Sequence, residues 1–216
     1  MKNIVIYFGS NAAIEILSYL KDLSYCTDSY KIYIYEKSNN LLKKKELKKI
    51  YKKVNFIVKE NELFQLKNSK FIIASGDSNL RYKSYQNLKK KNVKFFTIVH
   101  PLAYVSQQTK ISEGSIISPF TTVAPFAKIG PNCYLNHYSS IGHHSEIGHS
   151  CVISPFAKVN GNAKLGKRVL LGTTSSVLSG IKIGNDSKLS SNSVLRNNLK
   201  SNSLAHGNPA HQAKIY

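Results

Sequence analysis

Two hydrophobic rhythms divide the chain. Up to about residue 99, short apolar runs alternate with longer segments whose apolar positions recur at helical spacing. The runs NIVIYF (Asn3 to Phe8), KIYIYE (Lys31 to Glu36), NFIVK (Asn55 to Lys59), FIIASG (Phe71 to Gly76) and KFFTIV (Lys94 to Val99) predict strands. Between them AIEILSYLKDL, LLKKKELKKIYKK and NLRYKSYQNLKKKN predict helices, the second with Leu41, Leu42, Ile50 and Tyr51 turned inward and its lysines solvated. Strand and helix in alternation imply parallel pairing through right-handed crossovers, hence a small open α/β sheet of Rossmann-like kind. Ligands of such sheets bind at the carboxyl ends of the strands, which nominates Gly9, Ser10, Asn11, Glu36 and Gly76. The first loop, GSNAA, lacks the later glycines of a dinucleotide fingerprint. Two readings of it stay open: amides that receive a phosphate at a helix start, or a glycine used only for a tight turn.

From Val105 the rhythm changes to six. Positions 105, 111, 117 and every sixth residue on to 195 are aliphatic at all sixteen steps, without one insertion. Two residues before each stands mostly Ala, Ser, Thr or Cys, and Gly follows directly at 130, 142, 148, 166, 172 and 184. One aliphatic and one small inward residue per hexad describe a triangular parallel β-helix with three hexads per coil. On this grid the glycines are expected to relax the corners. Cys133 and Cys151 both fall on the small inward position, one coil apart, and read as core residues rather than nucleophiles.

The grid gives geometry to the stretch SSIGHHSEIGHS (Ser139 to Ser150), which holds His143, His144 and His149. His143 lies two residues past Ile141, at a corner, and eighteen residues later the same corner holds Gly161. Adjacent coils are about 4.8 Å apart, as paired strands are, so an imidazole at 143 would sit beside the backbone of a glycine. That pairing suits acyl transfer: a neutral imidazole takes a proton from an attacking amine or hydroxyl, and a fixed N–H meets the developing oxyanion. The five-residue spacing of His144 and His149 also permits a metal reading, but the residue thirty-six before His144 is Gln108, so no third histidine converges and no metal is expected. His137 and His149 are read as surface residues.

Composition alters this picture little. Thirty-one basic against eleven acidic residues give a formal charge of +20, yet Arg occurs only at 81, 168 and 196. Nucleic-acid surfaces recruit Arg for bidentate contacts, so no nucleic-acid partner is expected, and the field is read as an attraction for polyanionic small molecules. The three cysteines, Cys26 included, form no disulfide or metal framework by spacing. There is no signal peptide and no apolar run of about twenty residues, so a cytoplasmic protein without a membrane partner is expected.

FIIASGDSNLRYK (from Phe71), the repeat region from TIVHPLAYVSQQTK to FAKVNGNAKLG, and GNPA (Gly207 to Ala210) resemble the two-domain hexapeptide-repeat sugar acyltransferases. That family includes nucleotide-linked amino-sugar N-acetyltransferases of bacillosamine and perosamine type and sialic acid O-acetyltransferases. The resemblance implies a left-handed β-helix, an exception to the usual crossover hand. It further implies a homotrimer, acetyl-CoA as cosubstrate in the crevice between neighbouring β-helices, and a nucleotide sugar, UDP- or dTDP-linked, on the N-terminal domain. The implied domains are 1–99, the β-helix 100–200 and a tail 201–216 that contributes to the coenzyme site. His143 matches the family's general base and Asn136 an asparagine near it, while His144 stands where an orienting Asp or Glu is usual, with Glu146 near in sequence. Gly161 matches the glycine whose amide meets the acetyl carbonyl, and Gly172, Ser191 and Gly207 join it on the coenzyme side. Gly9, Ser10, Asn11, Glu36 and Gly76 carry over to the sugar nucleotide, with Ala12 and Ala13 departing from the family's pattern. Arg81 reads either as part of that site or as a structural helix residue. The implied activity is N-acetylation of a nucleotide-linked 4-amino-4,6-dideoxy sugar by direct attack in surface polysaccharide or glycan synthesis. The alternatives are a sugar O-acetyltransferase and a noncatalytic β-helix scaffold.

Overall fold

A computed structural model describes residues 2–8, 11–25, 28–36 and 41–214, the side chains of 41–43 and 214 aside. Gly9, Ser10 and Cys26, and the side chains of Leu41 and Leu42, therefore lie outside the described residues. The chain divides into two compact units: one runs to Gly76 and resumes over Lys83–Thr97, and the other takes Asp77–Tyr82 and everything from Ile98.

The first unit holds β1 (Lys2–Tyr7), α1 (Asn11–Asp22), β2 (Tyr30–Tyr35), α2 (Leu41–Ile50), β3 (Asn55–Ile57), α3 (Glu60–Leu63), β4 (Ser69–Ile73), most of α4 (Ser78–Lys90) and β5 (Lys94–Phe95). All pairings are parallel, in the order β3-β2-β1-β4-β5. The apolar runs are continuous because each strand is buried on both faces. Ile4, Ile6, Ile32, Ile34 and Ile72 are fully buried on one side, and Tyr7, Tyr35, Phe71 and Tyr85 form a core cluster on the other. Among the described side chains of α2, Leu47 is fully buried, while Ile50 and the following Tyr51 are half-buried. The short α3 was not evident in the sequence: four residues are too few for a helical period to show.

The run KFFTIV is not one strand. Lys94–Phe95 pairs with β4, but Ile98–Val99 pairs with Ile116–Ile117 in the second unit, so the sixfold rhythm begins one hexad before Val105, at Val99. From there two-residue strands stack in register eighteen residues apart, as Thr122–Val123, Ser140–Ile141 and Lys158–Val159 do, building a left-handed parallel β-helix. Among the described residues its three faces are six-, five- and eight-stranded sheets. The last face ends in an antiparallel hairpin, Ser203–His206 with His211–Lys214. Every aliphatic step position is buried except Val99, Val105 and Ile111, the first three. Each such side chain is worth about 1.5–3 kcal/mol of burial.

The small inward residues do more than fit. The hydroxyls of Ser115, Thr121 and Ser145 donate to carbonyls fifteen residues on, those of Gly130, Asn136 and Asn160, at 2.9, 3.0 and 3.0 Å. Cys133 and Cys151 make the same contact with Gly148 and Gly166, each Sγ 3.0 Å from the oxygen. These five carbonyls thereby gain a donor where water is excluded.

The glycines correct an expectation. Most residues that turn the corners are not glycines: Phe120, Phe126, Asn132, Tyr138, His144, Ser150, Phe156, Asn162, Arg168 and Thr174 all take φ between 55° and 63°, at about 1–2 kcal/mol each, and on the same step only Gly114 at 72° and Gly180 at 75° are glycine. Gly130, Gly142, Gly148, Gly166 and Gly172 lie outside the left-handed region and are required by stacking. A Cβ on Gly148 would stand 2.4 Å from the Gly166 carbonyl oxygen, and one on Gly142 would stand 2.4 Å from the Gly161 nitrogen. Among the described residues no helix is long and apolar enough to cross a membrane.

Candidate functional site

Corner geometry brings three of the sequence-nominated residues together. Gly142 lets the coils close up, His143 follows it on the exposed side of the turn, and His144 takes the left-handed position at φ 56°. The His143 imidazole lies over Gly161 on the next coil, so a Cβ there would meet Nε2 at 2.6 Å and Cε1 at 2.7 Å. Only glycine leaves room for the ring. The main chain repeats the contact, since the Asn162 N–H donates to the His143 carbonyl at 2.9 Å.

His143 is oriented by its neighbour. Its Nδ1 lies 3.2 Å from Nδ1 of His144, with the rings crossed at 84°. The His144 ring rests against Phe126 one coil earlier, 4.8 Å between centroids. One proton serves two facing nitrogens, so when His143 carries it, Nε2 is left with the lone pair. Glu146 takes no part: it lies on a flat strand between Lys128 at 3.5 Å and Lys164 at 3.3 Å, and the bond from Lys164 with both positive charges lowers its carboxyl pKa.

The other nominated β-helix residues fall on the neighbouring corner. Asn136 accepts a 2.9 Å bond at Oδ1 from the His137 N–H. Two coils on in the same column, Gly172 packs against Ser191, whose nitrogen is 2.5 Å from the position of a glycine Cβ. Gly207 donates its N–H to Ser193 Oγ at 2.9 Å. A single chain therefore does not bring Asn136, Gly172, Ser191 and Gly207 onto the His143 corner. On that neighbouring corner Phe120, Tyr138 and Phe156 form an exposed ladder, with successive rings 4.9 Å apart.

His149 departs from expectation. It is half-buried on a third corner, its ring 5.0 Å from that of Tyr82 and its Nδ1 2.7 Å from Ser150 Oγ. Burial, helped by the positive charges of Lys167, Arg168 and Arg81, pushes its pKa down to about 4. His144 and His149 thus occupy different corners of one coil, and His137 is half-buried as well. Among the described residues no His, Cys, Asp or Glu cluster of metal-binding form occurs. Cys133 and Cys151 are fully buried, and burial pushes the Cys151 thiol pKa well up.

Arg81 is a structural clamp. It is fully buried, donating through Nε to the Asn132 carbonyl at 2.9 Å and through Nη2 to Asn132 Oδ1 at 2.8 Å, while Asn132 Nδ2 returns a bond to the Arg81 carbonyl at 2.9 Å. Burial lowers its pKa to about 10.

In the first unit, Asn11, Glu36 and Gly76 follow β1, β2 and β4 and so share the carboxyl edge of the sheet. Glu36 anchors its N–H to the Ile57 carbonyl at 3.0 Å, and a Cβ on Gly76 would meet nothing within 4 Å. Phe8, ahead of Gly9, has φ 82°, a strained conformation at the mouth of that edge. The sequence reading missed Glu60, which accepts the Tyr7 hydroxyl proton beside the Tyr35 ring. Burial first, and the Glu60 carboxylate second, raise the Tyr7 and Tyr35 hydroxyl pKa values. Tyr7 and Tyr35 closing adjacent strands, with a Glu just past the third, was the available signal.

Residues 126–161 match the family described as bacterial transferase hexapeptide (six repeats). Over its whole length the chain shares its fold with several solved acetyltransferase structures. Perosamine N-acetyltransferase from Caulobacter crescentus, solved as a histidine-to-asparagine variant with CoA and GDP-perosamine, is similar at TM-score 0.87 and 21% identity, covering 100% of this chain and 98% of that one. The acetyltransferase domain of PglB from Neisseria gonorrhoeae, in complex with acetyl coenzyme A, gives 0.85 and 18%, covering 98% and 99%. WeeI from Acinetobacter baumannii gives 0.86 and 21%, covering 99% and 100%. A comparison with curated protein sequences finds no match.

Proposed function

We propose that the protein is an acetyl-CoA-dependent acetyltransferase acting on the amino group of a nucleotide-linked 4-amino-4,6-dideoxy sugar, with His143 as general base. The carrying observation is the exposed imidazole of His143, engaged at Nδ1 by His144 and seated at Nε2 over the backbone of Gly161. The amine attacks the thioester carbonyl and His143 Nε2 takes its proton. The Gly161 N–H receives the oxyanion. The carbon–sulfur bond then breaks, and the proton passes from His143 to the departing CoA thiolate. His144 holds the tautomer in place of a carboxylate.

Gly172, Ser191 and Gly207 are assigned to the coenzyme. Because they lie on the corner next to that of His143, we further infer self-association as a homotrimer, in which one chain's corner faces another's. Gly9, Ser10, Asn11, Glu36 and Gly76 are assigned to the sugar nucleotide, whose supply places the reaction in the cytoplasm. The CoA and GDP-perosamine complexes of structurally similar acetyltransferases support the reading and add GDP to the candidate nucleotides.

The test is thiol release from acetyl-CoA with UDP-, dTDP- and GDP-linked 4-amino sugars, sialic acid and CMP-sialic acid as acceptors. One 4-amino sugar nucleotide should turn over, and His143→Asn should lower kcat by about 10²–10⁴-fold. Near wild-type turnover in that variant removes His143 as the base. Turnover of hydroxyl acceptors alone moves the assignment to O-acetylation. Silence together with no acetyl-CoA binding in calorimetry leaves the scaffold alternative.

A further inference from the structure

A cavity lined by described residues lies in the first unit, at the end of the sheet opposite the carboxyl edge. It is about 890 Å³ and is lined where β1, β4 and β5 begin, by Lys2, Asn3, Ser69, Lys70 and Lys94, and by the loops that lead into those strands. Three lysines of the cavity stand over aromatic rings that also line it: Lys2 over Tyr30, Lys70 over Phe96 and Lys91 over Phe64, each 5.9 Å from the centroid. No Asp or Glu is among its described lining residues.

The placement of these charges calls for an anion. Lys70 and Lys94 are direct cross-strand partners in the β4–β5 register, and like charges side by side on a sheet repel. Helix carbonyl ends attract cations, but Lys21, Lys89 and Lys90 in the last turns of α1 and α4 already answer that field. Lys2, Lys70 and Lys94 sit on strands instead. The rings supply flat apolar surface: Phe64 is 38% exposed, and Tyr25 stands edge-on to both Tyr30 and Phe96.

We propose that this amino-end cavity is a second ligand site, distinct from the edge that holds Asn11, Glu36 and Gly76, and that it takes a nucleoside phosphate. The lysines neutralise the phosphates and the rings stack on the base.

The test is a titration of the full-length protein with ADP, followed by amide chemical shifts, and with inorganic pyrophosphate as the ringless probe. Saturable shifts are expected at Lys70, Asn92 and Lys94, with ADP binding about tenfold tighter than pyrophosphate. K70E/K94E should weaken ADP at least about tenfold while acetyl transfer and melting temperature stay unchanged. Should the charge reversal lower the melting temperature, K70Q/K94Q read by the same amides serves in its place. Shifts confined to residues near Glu36 or His143, or undiminished affinity in the double variant, would overturn the second site. Equal affinity for the two probes would overturn the nucleoside. Neither result bears on His143, whose role is read separately by thiol release.

Discussion

The five-stranded sheet of the first unit and the coils of the second are both parallel, and they differ in how much freedom the crossovers leave. In the first, helices join the strands, and β1 pairs with strands that begin twenty-eight and sixty-seven residues later. A helix can slide or tilt on the sheet, so the core accepts whatever apolar shapes fill it, tyrosines included. In the second, the crossover is the coil itself, and backbone touches backbone at a fixed spacing of eighteen residues. No element can shift to absorb a methyl group. Position then dictates residue type: aliphatic inside, small and often hydroxylated beside it, glycine where coils meet.

Alanine at glycine should break this contrast most visibly. Gly148→Ala drives a Cβ into the Gly166 carbonyl and should cost about 3 kcal/mol or more in denaturant unfolding, whereas Gly76→Ala, with open space around it, should leave the midpoint unchanged. Equal effects would mean that the coils yield as the sheet does. Next in size is Gly161→Ala. Its Cβ meets only the far end of a side chain, so the coil should remain folded while the displaced His143 lowers turnover by about 10²-fold. Lost stability with intact turnover would make Gly161 a stacking glycine only.

A pH effect follows at smaller scale. The folded His149 pKa, depressed from 6.5 to about 4, means that the unfolded chain binds the extra proton. The stabilisation from neutral His149 is complete above pH 6.5 and falls away as pH drops toward 4, by about 2 kcal/mol once solvent screening of the half-exposed ring is discounted. Chemical denaturation across that window should show the decline, and His149→Gln should flatten it. The smallest effect is expected at the exposed pair in which Lys53 bonds Asp28 at 2.5 Å. Asp28→Asn should leave the melting temperature of the protein where it was.

Legibility followed the same divide. The sixfold period placed the coils, the cysteines and the His143 corner correctly, because repetition over many coils outweighs any single ambiguous residue. It could not explain the glycines: a residue that avoids a clash with the next coil and one that permits a turn look alike until φ is known. In the first unit the strands were visible as apolar runs, but KFFTIV concealed a change of partner. Phe95 and Ile98 are both buried, and apolarity does not say against which sheet. Arg81 and Glu60 were illegible for a related reason, since a buried or bonded polar side chain is defined by its partners, Asn132 and Tyr7, fifty-one and fifty-three residues away.

By itself, then, the order of residues determined what depends on local repetition: two periods, hence a helix-joined sheet and a coil of hexads, and a histidine set one coil from a glycine. Only the tertiary structure decided what depends on contact at a distance. His144 supplies the nitrogen that orients His143, Gly172 and Ser191 meet on a different corner, and lysines that begin separate strands close around one cavity. Periodicity sets the direction in which a side chain points, whereas its protonation, its partner and its neighbours across the fold arise only when distant segments come within bonding range.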